Sequence, residues 1–323
     1  MSTPIQRTVL ITGCSQNGLG YALAVAFHDA GFRVFATARN PSRMSGLEEL
    51  GIECLRLDVC DETSIRECVA RVRSLTAKPE GDLEEGRLDC LVNNAGGGYN
   101  MPVSDISIPE AKELFDVNVW SYIGVTQAFL PLLIHAARSS PAPNTGAAGS
   151  LIVNNTSVSS VEPTPHNSVY HASKAAAAMF STHMRIELEP FHVRVVDLKT
   201  GCVHSKFHAN HQGGNASLPP TSIYLPVKDQ TERAMRNAFP HREDPEKWAR
   251  DVVRDIVRNW DSPPKEIWRG TGAWRTWFAN TFFPVGWWDQ SWRNAVALDV
   301  LKEKEKEKEK EKGKKDIVPA SFA

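Results

Sequence analysis

Six short apolar runs separated by helix-period segments decide what this chain can become: Val9-Leu10-Ile11, Val34-Phe35-Ala36, Cys54 to Val59, Leu88 to Val92, Leu151 to Val153 and Val193 to Leu198. Each is too short for a helix and too uniformly apolar for a strand with one wet face, so each reads as a strand buried on both sides. Between the first two, Leu19, Leu23, Ala26, Phe27 and Ala30 recur at helical spacing and Gly31 ends the segment. Strand, helix, strand is a βαβ unit. Its repetition to about residue 200 predicts an α/β fold, a single doubly wound Rossmann domain. The expected sheet is parallel, of about seven strands, with helices on both faces and ligands at the carboxyl ends of the strands.

Two longer helical patterns lie between the later strands, one from Pro109 through Leu114, Val117, Trp120 and Val125, the other from His171 into Leu188. The Pro- and Gly-rich stretch Ser139 to Ser150 reads as an exposed loop. A second irregular stretch runs from Lys206 to about Lys228. It makes the region of about 203–245 either a lid over a substrate or a solvated connection. The predicted organisation is a catalytic domain over residues 5–270, an aromatic-rich extension over 271–300 and a charged tail over 301–323.

Eight of the nine tryptophans lie at or beyond Trp248, and the tract 268–292 adds Phe278, Phe282 and Phe283. Three readings stand: packing on the domain or between subunits, a peripheral membrane contact, or a hydrophobic wall of a substrate pocket. From Lys302 the chain alternates Lys and Glu, which on a helix sets like charges four residues apart and opposite charges three apart. The gains nearly cancel, predicting a solvated, disordered tail.

With 37 basic and 38 acidic side chains the net charge is −1, which gives no reason to expect a nucleic-acid partner. Six cysteines without a CxxC pair suit reduced thiols. The start of the chain has no apolar leader and no 18-residue apolar run occurs, so a cytoplasmic protein is expected. The sequons at Asn155 and Asn215 are then unused, and a lipid-droplet or endoplasmic-reticulum surface is where the aromatic tract would make contact. His204, His208 and His211 have ligand-like spacing but no carboxylate or cysteine partners, so no metal site is expected.

The turn from the first strand into the first helix reads Thr12-Gly13-Cys14-Ser15-Gln16-Asn17-Gly18-Leu19-Gly20. Glycines there let backbone N–H groups approach a pyrophosphate, and the helix N-terminus adds partial positive charge. Gly13, Ser15, Gly18, Leu19 and Gly20 are the candidate cofactor-binding residues of this turn. Enzymes that take NAD usually place a carboxylate after the second strand, but this chain places Arg39, followed by Asn40, Ser42 and Arg43. A guanidinium pairs with a 2′-phosphate, so NADP(H) is the expected cofactor. Asp58 is a candidate acceptor for the adenine amine, and Asn94, Ala95 and Gly96, within Asn93 to Gly98, would pass beneath the adenosine.

Tyr170 and Lys174 open an alanine-rich helical segment and lie one turn apart on one face. Tyr224 and Lys228 share that spacing, but Pro226 and Pro219-Pro220 argue against a stable helix there. A phenol of ordinary pKa about 10 needs roughly 4 kcal/mol of phenolate stabilisation to work near neutrality. A neighbouring ammonium and a positive nicotinamide would supply it. Ser157, thirteen residues upstream, is placed to donate to the same substrate oxygen, and Asn118 to hold a water that relays a proton to Lys174.

TGxxxxGxG from Thr12, NNAG from Asn93, Asn118, Ser157 and YxxxK from Tyr170 together resemble the short-chain dehydrogenase/reductases over roughly residues 7–205. The resemblance implies a catalytic tetrad of Asn118, Ser157, Tyr170 and Lys174, with hydride passing between nicotinamide and a carbonyl carbon and Tyr170 exchanging the proton. It also implies that Tyr170, Lys174, Val203 and Ser205 touch the cofactor. Two departures stand out. Four residues rather than three separate the first two motif glycines, and Thr200 replaces the proline that usually opens the loop after the sixth strand. The first should reshape the phosphate turn and the second leave the loop backbone less fixed.

Within the family, ITGCSQNGLG, FATARNPSRM and LKTG look most like the NADPH-dependent 1-acyldihydroxyacetone-phosphate reductase group and its fungal relatives. The resulting expectation is an NADPH-dependent reductase of a bulky apolar or lipid-like ketone, working on a small-molecule ketone or alcohol, and a homo-oligomer paired through its two long helices. The alternative is a non-redox member of a secondary-metabolite pathway, serving as dehydratase, cyclase or scaffold.

Overall fold

The computed structural model describes residues 6–77, 85–139, 149–205, 216–236 and 241–315, with side chains to residue 311. Its strands are β1 (Thr8–Thr12), β2 (Arg33–Ala38), β3 (Glu53–Arg56), β4 (Cys90–Asn93), β5 (Ser150–Asn155), β6 (Val193–Thr200) and β7 (Glu266–Arg269). They form one parallel sheet in the order β3-β2-β1-β4-β5-β6-β7. The order reverses between β1 and β4, which opens a crevice at the carboxyl edge. The apolar runs anticipated six strands by position. The seventh escaped because Glu266-Ile267-Trp268-Arg269 is not an apolar run.

Alternation along each strand divides the core into two faces. Val9 and Ile11 point to one face with Val34, Ala36, Leu151 and Val153, where α1 (Leu19–Asp29) and α7 (Pro245–Arg258) pack through Leu23, Phe27, Trp248, Val252 and Ile256. Leu10, Phe35 and Ile152 point to the other, beneath α2 (Glu62–Thr76) and α4 (Ser121–Arg138), which contribute Ile65, Val72, Val125, Phe129 and Leu132. α5 (Ser168–Glu187) completes that layer. Asp61 caps α2 by accepting from Thr63 N–H, and Asp244 caps α7 by accepting from Lys247 N–H.

α3 (Ile108–Phe115) runs into α4 through a π turn at Asp116–Trp120. The combined helix from Ile108 to Arg138 is long and apolar enough to cross a bilayer, but half of its most apolar window is buried within the fold. Beyond β6 the described part of the lid region holds a 3₁₀ turn at Leu225–Val227 and α6 (Lys228–Met235). Tyr224 precedes the turn and Lys228 starts the helix, so these two do not share one helical face. Residues 206–215 and 237–240, with His208, His211 and Asn215, lie outside the described residues, as do residues 140–148 of the Pro- and Gly-rich stretch.

α8 (Ala273–Phe282) packs Ala273, Thr276 and Ala279 inward and leaves Trp274, Trp277, Phe278 and Phe282 facing out. α9 (Asp289–Ala295) follows. The alternating tail differs from expectation: Leu298–Lys315 is one helix, α10. Lysine and glutamate are strong helix formers, and charge pairing alone understated this. The start of α10 is also tied down, by an Arg293–Asp299 ion pair of 2.7 Å and by Lys304 Nζ donating to Pro226 O at 2.6 Å.

Candidate active site

The polar groups collect around the crevice between β1 and β4. Gly13 has φ +76°, and a Cβ there would meet Ala95 Cα at 2.9 Å. Gly20 packs against the Gly13 carbonyl and the Asn94 amide. Gly18 is the N-cap of α1 and offers no side chain to it, so the first-turn N–H groups stay available to an anion. The additional residue of the turn is absorbed by Asn17 in the left-handed region, φ 64°, with Gly18 N–H closing onto Ser15 O at 2.9 Å. Cys14 N–H to Thr37 O at 2.8 Å and Gln16 N–H to Arg43 O at 2.7 Å anchor the reshaped turn to the end of β2 and just beyond.

Arg39 is exposed just past β2, and no acid stands at that strand end. Asn40 is used locally, accepting from Ser42 N–H at 3.1 Å. Asp58 sits two residues beyond the end of β3, where its carboxylate accepts from Cys60 N–H at 3.1 Å. Arg39 and Asp58 both reach the Cys60 thiol electrostatically, with opposite sign, so they share one corner. After β4, Thr12 Oγ1 accepts from Asn94 N–H and Ala95 N–H, each at 2.9 Å, fixing the Asn94–Gly96 backbone against the phosphate turn.

The π turn presents Asn118, fully buried, to the Gly97 backbone. Asn118 Oδ1 accepts from Gly97 N–H at 2.8 Å, while Nδ2 donates to Gly97 O at 3.0 Å and to Ser173 Oγ at 2.9 Å. Its side chain is thus committed as a clamp on Gly97 and Ser173. Gly96 lies between Asn118 and Lys174: a Cβ there would be 3.1 Å from Asn118 Oδ1 and 3.5 Å from Lys174 Nζ.

Ser157 begins the short 3₁₀ turn after β5 and donates to Thr200 O at 3.2 Å. The Tyr170 phenol is hydrogen-bonded to Ser157, yet burial outweighs that bond and pushes the phenol up to about 12. Lys174, one turn along α5, donates to Asn155 O at 3.0 Å and reaches the Tyr122 hydroxyl at 3.4 Å. Burial lowers its ammonium to about 8, with Asp197 acting in the opposite direction. Burial thus raises the phenol and lowers the ammonium, while the acidification read from the sequence counts on a positive nicotinamide beside them as well as on Lys174.

Cys202 N–H donates to Thr271 O at 2.9 Å and His204 N–H to Glu243 O at 2.9 Å, lacing the loop that carries Val203 and Ser205 to two later segments. Thr200 is not loose: its hydroxyl donates to Asn155 Oδ1 at 2.5 Å. Sequence reasoning missed Asn155 and Tyr122. The spacing of Asn118 and Tyr122, four apart on one helix, was the available signal for the second. All six cysteines are free, and among the described residues no group of His, Cys, Asp or Glu is arranged to hold a metal.

A doubly wound sheet with a glycine-lined phosphate turn, and at its carboxyl edge a buried Ser157 and Lys174 with a half-buried Tyr170, defines a dinucleotide-dependent oxidoreductase. Residues 7–215 match the short chain dehydrogenase family, to which this chain belongs. It is 44% identical over 306 residues to a short-chain dehydrogenase/reductase of Pestalotiopsis microspora, covering 93% of this chain and 97% of that one. It is 40% identical over 225 residues to the NADPH-dependent 1-acyldihydroxyacetone phosphate reductase of Schizosaccharomyces pombe, 69% of each chain. A short chain dehydrogenase of Burkholderia cenocepacia solved with NADP shares the fold, with a TM-score of 0.63 at 20% identity over 90% of this chain and 97% of that one.

Proposed function

We propose that this protein uses NADPH to reduce a ketone on a bulky, apolar or lipid-like substrate to a secondary alcohol. The observation that carries the reading is the Tyr170 phenol, hydrogen-bonded to Ser157, with the Lys174 ammonium one turn away on the same helix and both beside the nucleotide crevice. The uncapped first turn of α1, two glycine positions closed to any side chain, and a cation in place of an acid after β2 suit a dinucleotide bearing a 2′-phosphate. NADPH, when bound, supplies the hydride. Gly13, Ser15, Gly18, Leu19 and Gly20 would hold its pyrophosphate and Arg39 its 2′-phosphate. Asp58 would take the adenine amine, Asn94, Ala95 and Gly96 the adenosine, and Val203 and Ser205 the nicotinamide side.

The chain's own part is to orient a carbonyl and deliver a proton. Ser157 and Tyr170 would both address the substrate oxygen, Ser157 by turning its hydroxyl proton from Thr200 O to that oxygen and Tyr170 Oη by giving up its proton. At neutral pH Lys174 is charged, and its ammonium would stabilise the phenolate left behind. Tyr99, Met101, Val169, Leu218, Tyr224 and Met235 form two apolar clusters that share Met101 and join the loop after β4 to the lid region. That lining supports a bulky apolar substrate, as does the acyl ketone named for the Schizosaccharomyces pombe relative.

Two surfaces extend the reading. Trp120, Met179, Phe180 and Ile186, exposed on the π turn and α5, support pairing of subunits through the long helices. Trp274 stacks on Phe278, and Phe283 stacks on Trp287, on an outward face that supports peripheral membrane contact. Flotation with liposomes tests the latter, with Trp274→Ser and Phe282→Ser expected to abolish it.

The deciding experiment follows NADPH absorbance with a panel of bulky ketones. Wild type should oxidise NADPH with at least one of them, and Tyr170→Phe should lose about a thousandfold in kcat with NADPH affinity little changed. No oxidation with any ketone, or undiminished turnover by the Phe variant, would overturn the reading.

A further inference from the structure

We propose that Asn155 and Thr200 form a positioning pair that couples the nucleotide turn to the lysine of the active site, an inference that rests on the reading of the site given above. Asn155 is a hub at the end of β5. Its Oδ1 accepts from Thr200 Oγ1 at 2.5 Å and its Nδ2 donates to Asn94 Oδ1 at 2.9 Å. Asn94 Nδ2 donates in turn to Thr12 O at 2.8 Å, on the strand that runs into the phosphate turn. One chain of side chains thus crosses the ends of β6, β5, β4 and β1. The main-chain carbonyl of the same Asn155 accepts from Lys174 Nζ at 3.0 Å and from Tyr122 Oη at 2.8 Å.

The direction of every bond in this chain is fixed by its terminus. Thr12 O accepts only, so the nitrogen of Asn94 must face it and the oxygen of Asn94 must face Asn155. Asn155 then turns its nitrogen to Asn94 and its oxygen to position 200, where only a donor will serve. A proline there has neither hydroxyl nor N–H. Threonine supplies the donor, and its carbonyl meanwhile accepts from Ser157 Oγ at 3.2 Å. Position 200 therefore contacts both the residue that holds Lys174 and the serine beside Tyr170. Asn155 and Thr200 are 5% and 7% exposed, so a broken bond leaves a buried polar group without a partner. Displacing the Asn94 turn would be felt at Lys174 through two side-chain amides and the main-chain carbonyl at the end of β5.

Thr200→Val keeps the shape and removes the donor, and Thr200→Ser keeps the donor. In ligand-free protein, Thr200→Val should speed amide exchange at residues 93–97, well away in sequence from the substitution. It should also weaken NADPH binding about fivefold, as expected for loss of one buried hydrogen bond, and shift the alkaline limb of the kcat/KM profile. Thr200→Ser should restore all three. Exchange confined to residues near 200, with NADPH affinity and pH profile unchanged, would overturn the proposal and leave Thr200 a packing residue. Should wild type fail to oxidise NADPH, the functional reading falls, while the exchange comparison still decides whether the pair holds the Asn94 turn.

Discussion

Gly20 lies so close under the carbonyl of Gly13 that a Cβ would stand 2.5 Å from that oxygen and 2.6 Å from Asn94 Nδ2. One neighbour is backbone and the other is a hydrogen-bonded amide, so neither can yield cheaply. Gly20→Ala is expected to cost about 1–3 kcal/mol of stability and to weaken NADPH binding at least about tenfold. Denaturant titration and fluorescence titration measure the two effects. Binding within twofold of wild type would show that the turn does not cradle the cofactor.

Arg39 directly follows β2, and no carboxylate stands at the end of that strand. Arg39→Ala should therefore weaken NADPH by roughly ten- to a hundredfold, the range of a charge-assisted bond, and leave NADH nearly unchanged. Parallel titrations with both nucleotides give the ratio. An equal loss for both would assign Arg39 a role outside the 2′-phosphate.

Lys174 is lowered to about 8 and Tyr170 raised to about 12, so between those values the phenol keeps its proton while the ammonium loses its charge. The expected kcat/KM profile falls as pH rises through about 8. Because the negative charge of Asp197 raises the ammonium, Asp197→Asn should move that fall to lower pH. A profile flat well above this range would mean that the charge on Lys174 is not used.

His166 and His171 are both pushed down to about 4 by burial, from an ordinary 6.5. Within that window the unfolded chain binds protons that the folded chain does not. Stability is therefore complete above the window and is lost as pH falls through it, by at most roughly 3 kcal/mol for each histidine and less for His171, which is less buried than His166. Denaturant midpoints near neutrality and near pH 5 should differ accordingly. His166→Phe should flatten the difference.

Six of the strands, the glycine turn and the Tyr170–Lys174 spacing were legible because each is written locally, as an apolar run, a glycine spacing or a fixed interval within one helix, whereas Asn118 and Ser157 lie on other elements and came into view with the family resemblance. β7 was not, since an amphipathic four-residue edge strand has no distinctive pattern. The Asn155–Thr200 bond joins residues 45 apart, and nothing in either neighbourhood announces it. The helix at Leu298–Lys315 was hidden for a different reason: pairing energies nearly cancel along alternating Lys and Glu, while the helix preference of both residues and the Lys304 contact with Pro226 O favour it.

The wide turn at Asp116–Trp120 has a consequence for how such a chain can change over time. A π turn is one surplus residue in an α-helix, and it lets Asn118 face Gly97 while Val125, Phe129 and Leu132 still face the sheet. A single-codon deletion there would restore an ordinary helix and preserve the downstream packing, yet rotate Asn118 away from its glycine. Loss of the clamp on Gly97 without loss of architecture is thus one mutational step away.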